Sequence, residues 1–326
     1  MTMSTAKGVW VYSESLDLAL ELLGKARELT DKMHVPLTAL LLGSNAQTGA
    51  QRFVQHGADK VLVVDKPELK EFRVEPYLGC LTVLVKQHGP DIILIGSTRR
   101  GKELAARLAT RLETGCVPDS TKLSLNDQGN LVAERIVYGG NAAAKITFLT
   151  KPQIATVPLR TYEKPTPSVD RKGEIVSVEV PVEEARTEIL AVKQMEASQV
   201  KIEEARVVVC GGRGVEKKDD FKMLDELARL VGGQIGNTRP LAEDRKWFSE
   251  WVGLSGHKIK PSLYIGAGVS GVIQHVAGIR DSQVIVTINK DAEAPLCEAA
   301  DYIVVGNLYE IVPALIESFR RQLKTG

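Results

Sequence analysis

The sequence lacks the cysteine patterns that bind metals or build disulfide frameworks. Its four cysteines, Cys80, Cys116, Cys210 and Cys297, lie far apart and include no C-x-x-C pair. This spacing argues against an iron–sulfur cluster, a zinc site and a set of disulfides. Cys80 lies in an apolar helical pattern and Cys210 ends an apolar strand pattern, so we expect buried thiols that act as small hydrophobic side chains.

The sequence also lacks an excess of charge of either sign. Lysine and arginine total 42 against 41 aspartates and glutamates, a formal net charge of +1, which gives no field to attract nucleic acid or an anionic membrane. The amino terminus has no apolar signal core, and no apolar run approaches the roughly 20 residues that cross a bilayer. We therefore expect a soluble, cytoplasmic protein that does not bind nucleic acid or insert into a membrane.

Short apolar runs alternate with amphipathic stretches from Gly8 to about Arg111. The runs VWVY, LTALLLG, KVLVVD and DIILIG predict strands, and helical patterns lie between them. Apolar strands separated by helices are typical of a parallel sheet covered on both faces. From Lys122 to Thr161 the runs alternate around the turn sequences DQGN and YGGN, which predicts antiparallel strands at the sheet edge.

A chain of 326 residues is long enough for two domains. The stretch from Glu163 to Gln199 is rich in proline and charge, with one or two short strands, so we expect a seam near Ala197 to Ala205. The second part opens with ARVVVCGGRG and a helix, and its later runs SLYIGAG, SQVIVTIN and DYIVVGN predict a second parallel sheet. We predict an α/β protein with domains at residues 1–200 and 201–326, each a mostly parallel sheet covered by helices.

Two glycine-rich turns, VVVC-GGRG and YIG-AGVSGVIQH, join predicted strands to predicted helices in the second domain. Glycine there would let a diphosphate approach backbone N–H groups. Neither turn is a complete G-x-G-x-x-G fingerprint, so an ordinary structural turn stays open for each. The same holds for GSTRRG after DIILIG in the first domain, where an anion site and an ordinary turn are both open.

Polar residues follow the ends of the predicted strands in the second domain. Cofactors of open α/β sheets lie outside the carboxyl ends of the strands, where Arg213, Gly268, Asn289 and Asn307 are expected to converge. Asparagine is also a good turn former, which explains either one alone. His275, about one and a half turns into the predicted helix after the second glycine-rich turn, is placed to face the same cofactor.

A long stretch, NTRPLAEDRKWFSEWVGLSGHKIKP, separates these elements, and a loop of this length inside a compact domain is usually functional. Ser255 in GLSG superficially resembles a hydrolase nucleophile. The G-x-S-x-G elbow, however, needs glycine two residues after the serine, where this chain has His257. We therefore predict no catalytic residue and no metal site.

The segments GGRG, TRP, GLSG, GVSGVIQHVAG, VIVTINKDAEAP and ADYIVVGNLYEIVPAL resemble the signature of electron-transfer flavoprotein alpha subunits in order, spacing and residue type. The resemblance runs from about Val207 to Leu323, and the first domain, with GSTRRGKELAARLA, is similar in layout. It implies an FAD-based electron carrier without substrate chemistry of its own, which exchanges electrons with an acyl-CoA dehydrogenase or reductase. The alternative is an NAD-binding or adenine-nucleotide-binding regulatory module.

The resemblance also implies a partner. The chain would be half of a heterodimer, with its N-terminal domain packing on a beta subunit that supplies a second site for AMP or another FAD. Participation in flavin-based electron bifurcation stays open. Leu254 stands where many relatives have glutamine, and the insert LAEDRKWFSEW carries tryptophans where they have a less aromatic sequence. In these departures the chain resembles a subgroup of bacterial flavoproteins that includes those linked to carnitine metabolism and nitrogen fixation.

Residue by residue, the resemblance implies an FAD site in the second domain. Arg213 and the segment Ser270, Gly271, Val272, Ile273 and Gln274 would contact the diphosphate and the ribityl chain. The adenosine half would be contacted by Asn289, Asn307 and Leu308. The remaining residues that the resemblance implies for FAD binding are Val252, Gly253, Leu254 and Gly268.

Four further residues are expected around the flavin ring. Arg239 would lie against the isoalloxazine, with Thr238 just before it, and Ser255 would hydrogen-bond flavin N5. His275, as imidazole or imidazolium, would lie near O2 at the pyrimidine end. A donor or a cation at these places favours the negatively charged reduced flavin and raises its reduction potential.

Overall fold

The structure, a computed structural model, describes residues 7–138, 141–192 and 202–325. The chain divides into two compact units, Met1–Ala191 and Val192–Gly326. The seam predicted near Ala197 to Ala205 begins among residues 193–201, which lie outside the described residues, as do residues 139–140 of the YGGN turn.

The first unit contains ten strands and four helices among its described residues. The strands are β1 (Val9–Tyr12), β2 (Leu37–Gly43), β3 (Lys60–Asp65), β4 (Ile92–Gly96), β5 (Cys116–Val117), β6 (Ser120–Leu125), β7 (Leu131–Val137), β8 (Ala142–Thr147), β9 (Gln153–Val157) and β10 (Glu174–Ser177). The helices are α1 (Leu16–Met33), α2 (Ala50–Gln55), α3 (Val74–His88) and α4 (Arg99–Arg111).

Seven of these strands form one parallel sheet in the order β10-β3-β2-β1-β4-β9-β5. Helix α1 buries Leu18, Leu22 and Leu29 in the core on one face, since residues three and four apart share one side of a helix. Helices α3 and α4 bury Leu84 and Leu108 in a second core. The central strands β1 and β4 are buried along their whole length, because both faces of the sheet are covered.

The predicted antiparallel strands form a sheet of their own. Strands β6, β7 and β8 pair antiparallel in that order, while β9 lies inside the main sheet, parallel to β4 and β5. The burial pattern explains the separation. Strand β9 is buried at every residue, as an interior strand requires, whereas β8 is largely exposed and suits a sheet with one solvated face.

The second unit contains a five-stranded parallel sheet with the order β12-β11-β13-β14-β15. Its strands are β11 (Val207–Gly211), β12 (Gln234–Asn237), β13 (Leu263–Ala267), β14 (Val284–Asn289) and β15 (Tyr302–Val305). Its helices are α5 (Phe221–Leu230), α6 (Arg239–Glu243), α7 (Ile273–Ile279), α8 (Pro295–Ala299) and α9 (Leu308–Thr325). Helices α5 and α9 cover one face with Leu224, Leu227 and Val312.

The predicted fold class is confirmed: both units are built on mostly parallel sheets covered by helices, with an antiparallel sheet in the first. The predicted burial of Cys80 and Cys210 is also confirmed. Among the described residues, no helix has the length and apolar content needed to cross a membrane.

Candidate functional site

The turns at the carboxyl edge of the second sheet are joined to one another by backbone hydrogen bonds. They connect the turn after each strand to the neighbouring strand or turn: Thr238 N to Gly211 O (3.1 Å), Gly212 N to Ala267 O (3.0 Å), Gly214 N to Gly268 O (3.0 Å), Gly268 N to Ile288 O (2.9 Å) and Gly306 N to Asn289 O (2.9 Å). All five strands run parallel, so every turn lies at the same edge, as predicted for Arg213, Gly268, Asn289 and Asn307.

The two glycine-rich turns pack backbone against backbone. A Cβ added to Gly212 would lie 2.2 Å from the carbonyl oxygen of Gly268, and Gly268 itself adopts a left-handed φ of +64°. A side chain at either position would therefore clash or be strained. The packing of one turn on the other is by itself a sufficient reason for glycine at both positions, and the contact of these turns with a diphosphate stays a prediction.

The two asparagines at the strand ends act as turn formers. Asn289 Nδ2 donates to the Val269 carbonyl at 2.9 Å, which fixes the turn after β13. Asn307 Oδ1 accepts from the Tyr309 N–H at 3.1 Å at the start of α9. Their predicted contacts with the adenosine half of FAD stay predictions.

Arg239 and Ser255 are brought together around Trp251. The indole N–H of Trp251 donates to Ser255 Oγ at 3.2 Å, and the Arg239 guanidinium lies 5.9 Å from the centroid of the indole ring. Arg239 Nε also donates to Glu243 Oε2 at 2.7 Å, and the arginine side chain is 59% exposed. In the sequence, Trp251 is recognisable only as part of an aromatic insert, since nothing in its spacing indicates which side chains it contacts.

Thr238, the residue before Arg239, is buried, and its Oγ1 has no hydrogen-bond partner among the described residues. A buried hydroxyl without a partner costs about 1–3 kcal/mol. The unpaired hydroxyl therefore marks a place where a ligand atom or water would be stabilising.

The GLSG loop docks on helix α7. Leu254 N donates to the Gln274 carbonyl at 2.8 Å, and a Cβ on Gly278 would lie 2.5 Å from Gly253 Cα. The two docked segments carry three exposed apolar side chains: Leu254 is 38% exposed, Val272 52% and Ile273 59%. An exposed apolar group at a sheet edge rimmed by polar residues is typical of a binding site.

His275 differs from its prediction. Helix α7 begins at Ile273, so His275 lies in its first turn, and the ring is buried. Its Nδ1 lies 3.1 Å from the Val252 carbonyl and its Nε2 2.7 Å from the Tyr264 hydroxyl. A carbonyl only accepts, so Nδ1 carries the proton, and Nε2 accepts from Tyr264.

Burial lowers the pKa of His275 to about 4, although the hydrogen bond to the Val252 carbonyl opposes that shift. The low pKa favours the neutral ring near pH 7, which is the imidazole of the two predicted forms. Both nitrogens are occupied within the protein, so the structure shows His275 as a buried link between β13 and the Val252 segment and not as an open donor toward a ligand.

Burial sorts the remaining predicted residues into two groups. Val252, Gly253, Gly271 and Leu308 are buried, and the Leu308 side chain packs in the core beside Val312. Arg213, Ser270 and Gln274 are exposed, like Arg239 and Ser255. The exposed group has side chains that can reach a ligand, whereas Val252, Gly253, Gly271 and Leu308 can offer it only backbone atoms.

The geometry does not support a hydrolase. Ser255 Oγ accepts from Trp251, while His257 faces two carboxylates, with Nδ1 beside Glu203 and Nε2 2.9 Å from Glu250 Oε2. Both ring nitrogens of His257 are engaged away from the serine. A nucleophile and its base must lie within hydrogen-bond reach, and these two residues do not form that pair.

Comparison with protein families decides the affiliation. Residues 9–183 match the electron transfer flavoprotein domain, and residues 201–280 match the electron transfer flavoprotein FAD-binding domain. The chain belongs to the electron transfer flavoprotein family. This affiliation confirms the predicted resemblance, and the second match indicates FAD as the cofactor.

Three curated relatives illustrate the range of the family. Protein FixB of Clostridium saccharobutylicum is 40% identical over 97% of this chain and 97% of its own length. The electron transfer flavoprotein subunit alpha of Clostridium acetobutylicum is 40% identical over 97% of this chain and 98% of its own length. The lactate dehydrogenase (NAD(+),ferredoxin) subunit LctC of Acetobacterium woodii is 37% identical over 96% of this chain and 77% of its own length.

Proposed function

We propose that this chain is the alpha subunit of a heterodimeric electron carrier and that FAD binds at the carboxyl edge of its second sheet. The observation that carries the proposal is the match of residues 201–280 to the FAD-binding domain. That range contains the glycine-rich turns, the Arg239 and Ser255 side chains and the exposed apolar group. Ligands of open α/β sheets bind at this edge.

The described residues fit FAD in three chemical respects. Arg213 and Arg239 are exposed cations that can pair with a diphosphate or with negative charge on a flavin ring. Leu254, Val272 and Ile273 offer exposed apolar surface that an aromatic ring would cover. The unpaired Oγ1 of Thr238 would gain a hydrogen-bond partner.

FAD supplies the redox chemistry, because its ring accepts and releases electrons. The protein's part is binding and electrostatics. Arg239 contributes a fixed cation that favours the negatively charged reduced ring and so raises the reduction potential. Ser255 contributes a hydroxyl that can bond the ring. Neither residue is expected to make or break bonds.

The second subunit is a beta subunit. Membership of the alpha-subunit family supports it, because relatives such as the Clostridium acetobutylicum protein carry the designation subunit alpha. We propose that the N-terminal unit packs on this partner, which holds a second nucleotide, either AMP or FAD. Identification of the nucleotides released from the co-purified heterodimer would show whether the beta subunit holds AMP or FAD.

The redox partner is proposed to be a flavoenzyme of the acyl-CoA dehydrogenase or reductase type. The sequence resemblance supports this class, while the Acetobacterium woodii relative is named as a subunit of a lactate dehydrogenase that uses NAD(+) and ferredoxin. A neighbouring gene for a beta subunit and one for an acyl-CoA dehydrogenase would favour the first class. Stopped-flow mixing of the reduced carrier with each candidate enzyme would then measure electron transfer directly.

The flavin content tests the proposal. The chain is co-expressed with its beta subunit, and the visible absorption spectrum of the purified heterodimer is recorded. Flavin bands with about one FAD released per alpha subunit, beyond any held by the beta subunit, are the expected result. A heterodimer without flavin bands that binds NAD or an adenine nucleotide would instead establish the regulatory module and refute the electron carrier.

A further inference from the structure

Trp251 contacts two of the exposed side chains proposed to face the flavin. Its indole N–H donates to Ser255 Oγ at 3.2 Å, and the Arg239 guanidinium lies 5.9 Å from the ring centroid. Trp251 is half-buried, whereas Arg239 and Ser255 are exposed. The tryptophan is thus less accessible to a ligand than the two side chains it touches.

The backbone around Trp251 fixes the position of the indole. His257 N donates to the Trp251 carbonyl at 2.8 Å and closes the loop between them, while Val252 N donates to the Asn237 carbonyl at 2.9 Å and joins the loop to the end of β12. A Cβ on Gly256 would lie 2.7 Å from Trp251 Cδ1. The indole therefore packs directly on the backbone of the loop that carries Ser255.

The direction of the hydrogen bond constrains the serine. An indole N–H only donates, so Ser255 Oγ must accept from it. One acceptor position of the hydroxyl is then occupied, and its hydrogen turns away from the indole. The hydroxyl hydrogen stays available for an acceptor atom of a ligand.

We infer that Trp251 is a positioning residue for the flavin site: it orients the Ser255 hydroxyl as a donor toward the ring and holds the Arg239 guanidinium beside it. This inference rests on the proposed function, since both residues acquire these roles only with FAD at this edge. The cation–π contact restrains the guanidinium, and the indole N–H restrains the hydroxyl, so one side chain sets two interactions.

A double-mutant cycle on the heterodimer tests the inference. Trp251→Phe keeps an aromatic ring under Arg239 and removes the N–H, while Ser255→Ala removes the acceptor. Without the indole N–H, the Ser255 hydroxyl is no longer oriented toward the ring and its proposed bond to the flavin is lost. Loss of one hydrogen bond of ordinary strength corresponds to about fivefold weaker FAD binding. We expect Trp251→Phe to weaken FAD binding by that factor in the wild-type background, to shift the reduction potential in the direction of Ser255→Ala, and to change neither quantity in the Ser255→Ala background.

Trp247→Phe is the matched control. Trp247 lies in the same insert, under the Arg245 guanidinium at 4.7 Å, and packs edge-to-face on Phe221. Its replacement makes the same chemical change away from Ser255, so FAD binding and the reduction potential should stay at their wild-type values. Additive effects of Trp251→Phe and Ser255→Ala, or an equal effect of Trp247→Phe, would overturn the positioning role.

A second measurement separates this inference from the proposed function. In protein labelled with ¹⁵N-tryptophan and freed of FAD, Ser255→Ala should move the indole N–H resonance of Trp251 and leave that of Trp247 in place. An unmoved Trp251 resonance would overturn the hydrogen bond and the inference built on it. A wild-type heterodimer without flavin would overturn the proposed function, and the positioning role with it, even where the indole resonance moves.

Discussion

The buried imidazole of His275 makes the stability of the second unit depend on pH. Its pKa lies at about 4 in the folded chain against a usual value of 6.5, because burial disfavours the charged ring. The unfolded chain therefore binds the proton more readily than the folded chain does. The free energy of unfolding therefore has its full value above pH 6.5, and part of it is lost as the pH falls from 6.5 toward 4.

The size of the loss follows from the two pKa values. One pKa unit corresponds to about 1.4 kcal/mol. The shift of His275 from 6.5 to about 4 then removes about 2 kcal/mol of unfolding free energy at pH 5 and roughly 3 kcal/mol once the ring is protonated in both states. A loss of this size is a large fraction of the stability of an ordinary domain.

The assay compares urea denaturation of the wild type with that of His275→Gln between pH 7.5 and pH 5. Fluorescence of Trp247 and Trp251, recorded in a Trp10→Phe background because Trp10 lies in a core of the first unit, reports the second unit. The glutamine variant should be less stable than the wild type at pH 7.5, because its amide, although it has both a donor and an acceptor, does not fill the space of the buried ring. It does not titrate, so the gap between the two chains should shrink by about 2 kcal/mol at pH 5.

His34→Asn serves as a control, because His34 is exposed at the end of α1 in the first unit and asparagine tolerates its left-handed backbone. This variant should follow the wild-type pH curve of the second unit. A constant gap between the wild type and His275→Gln from pH 7.5 to pH 5 would refute the argument that His275 is buried in its neutral form.

Three further predictions concern packing, charge and thiol reactivity. Gly212→Ala places a Cβ 2.2 Å from the opposing carbonyl oxygen, so urea denaturation should show a loss of roughly 1–3 kcal/mol, whereas Gly43→Ala, with only ordinary contacts, should not. Arg239→Gln removes a cation beside the proposed ring and should lower the flavin potential of the heterodimer by on the order of tens of millivolts in spectroelectrochemistry. Burial raises the pKa of Cys210 to about 12 and of Cys80 to about 11, so a thiol reagent at pH 8 should label both only after denaturation. An equal loss of stability in the two glycine variants would contradict the packing prediction. An unchanged flavin potential would contradict the charge prediction, and rapid labelling of the native chain would contradict the burial of the two thiols.

Much of the fold can be predicted because its signals are local. The helical pattern predicted between VWVY and LTALLLG corresponds to α1, and the apolar runs VWVY and KVLVVD coincide with β1 and β3. Strand β12 was not predicted, since QIGN contains a single large apolar residue. Its place is fixed by pairing with β11, a long-range contact that no short pattern reveals.

Pairing across the chain also decides where the predicted strands lie. Strand β10 is one of the short strands predicted between Glu163 and Gln199, and its parallel pairing with β3 is a long-range contact that the local pattern does not show. The antiparallel strands β6 to β8 were predicted at the sheet edge but form their own sheet. Alternation along a strand predicts its exposed face, whereas the neighbour it pairs with depends on the whole unit.

The candidate site shows the same division between local and distant information. Strand order places Arg213, Gly268, Asn289 and Asn307 at one edge, which parallel topology requires. The direction of the His275 ring and the bond from Trp251 to Ser255 depend on how separate loops pack. Neither could be predicted from residue spacing, and the first reverses the expectation of an open histidine donor.

The location of FAD is the central claim, and hydrogen–deuterium exchange of the heterodimer with FAD removed and then restored tests it most directly. The proposed site predicts slower exchange on FAD binding in peptides that cover residues 211–214, 252–256 and 268–275. Unchanged exchange in all three peptides, with protection confined to residues 9–183, would contradict an FAD site at the carboxyl edge of the second sheet.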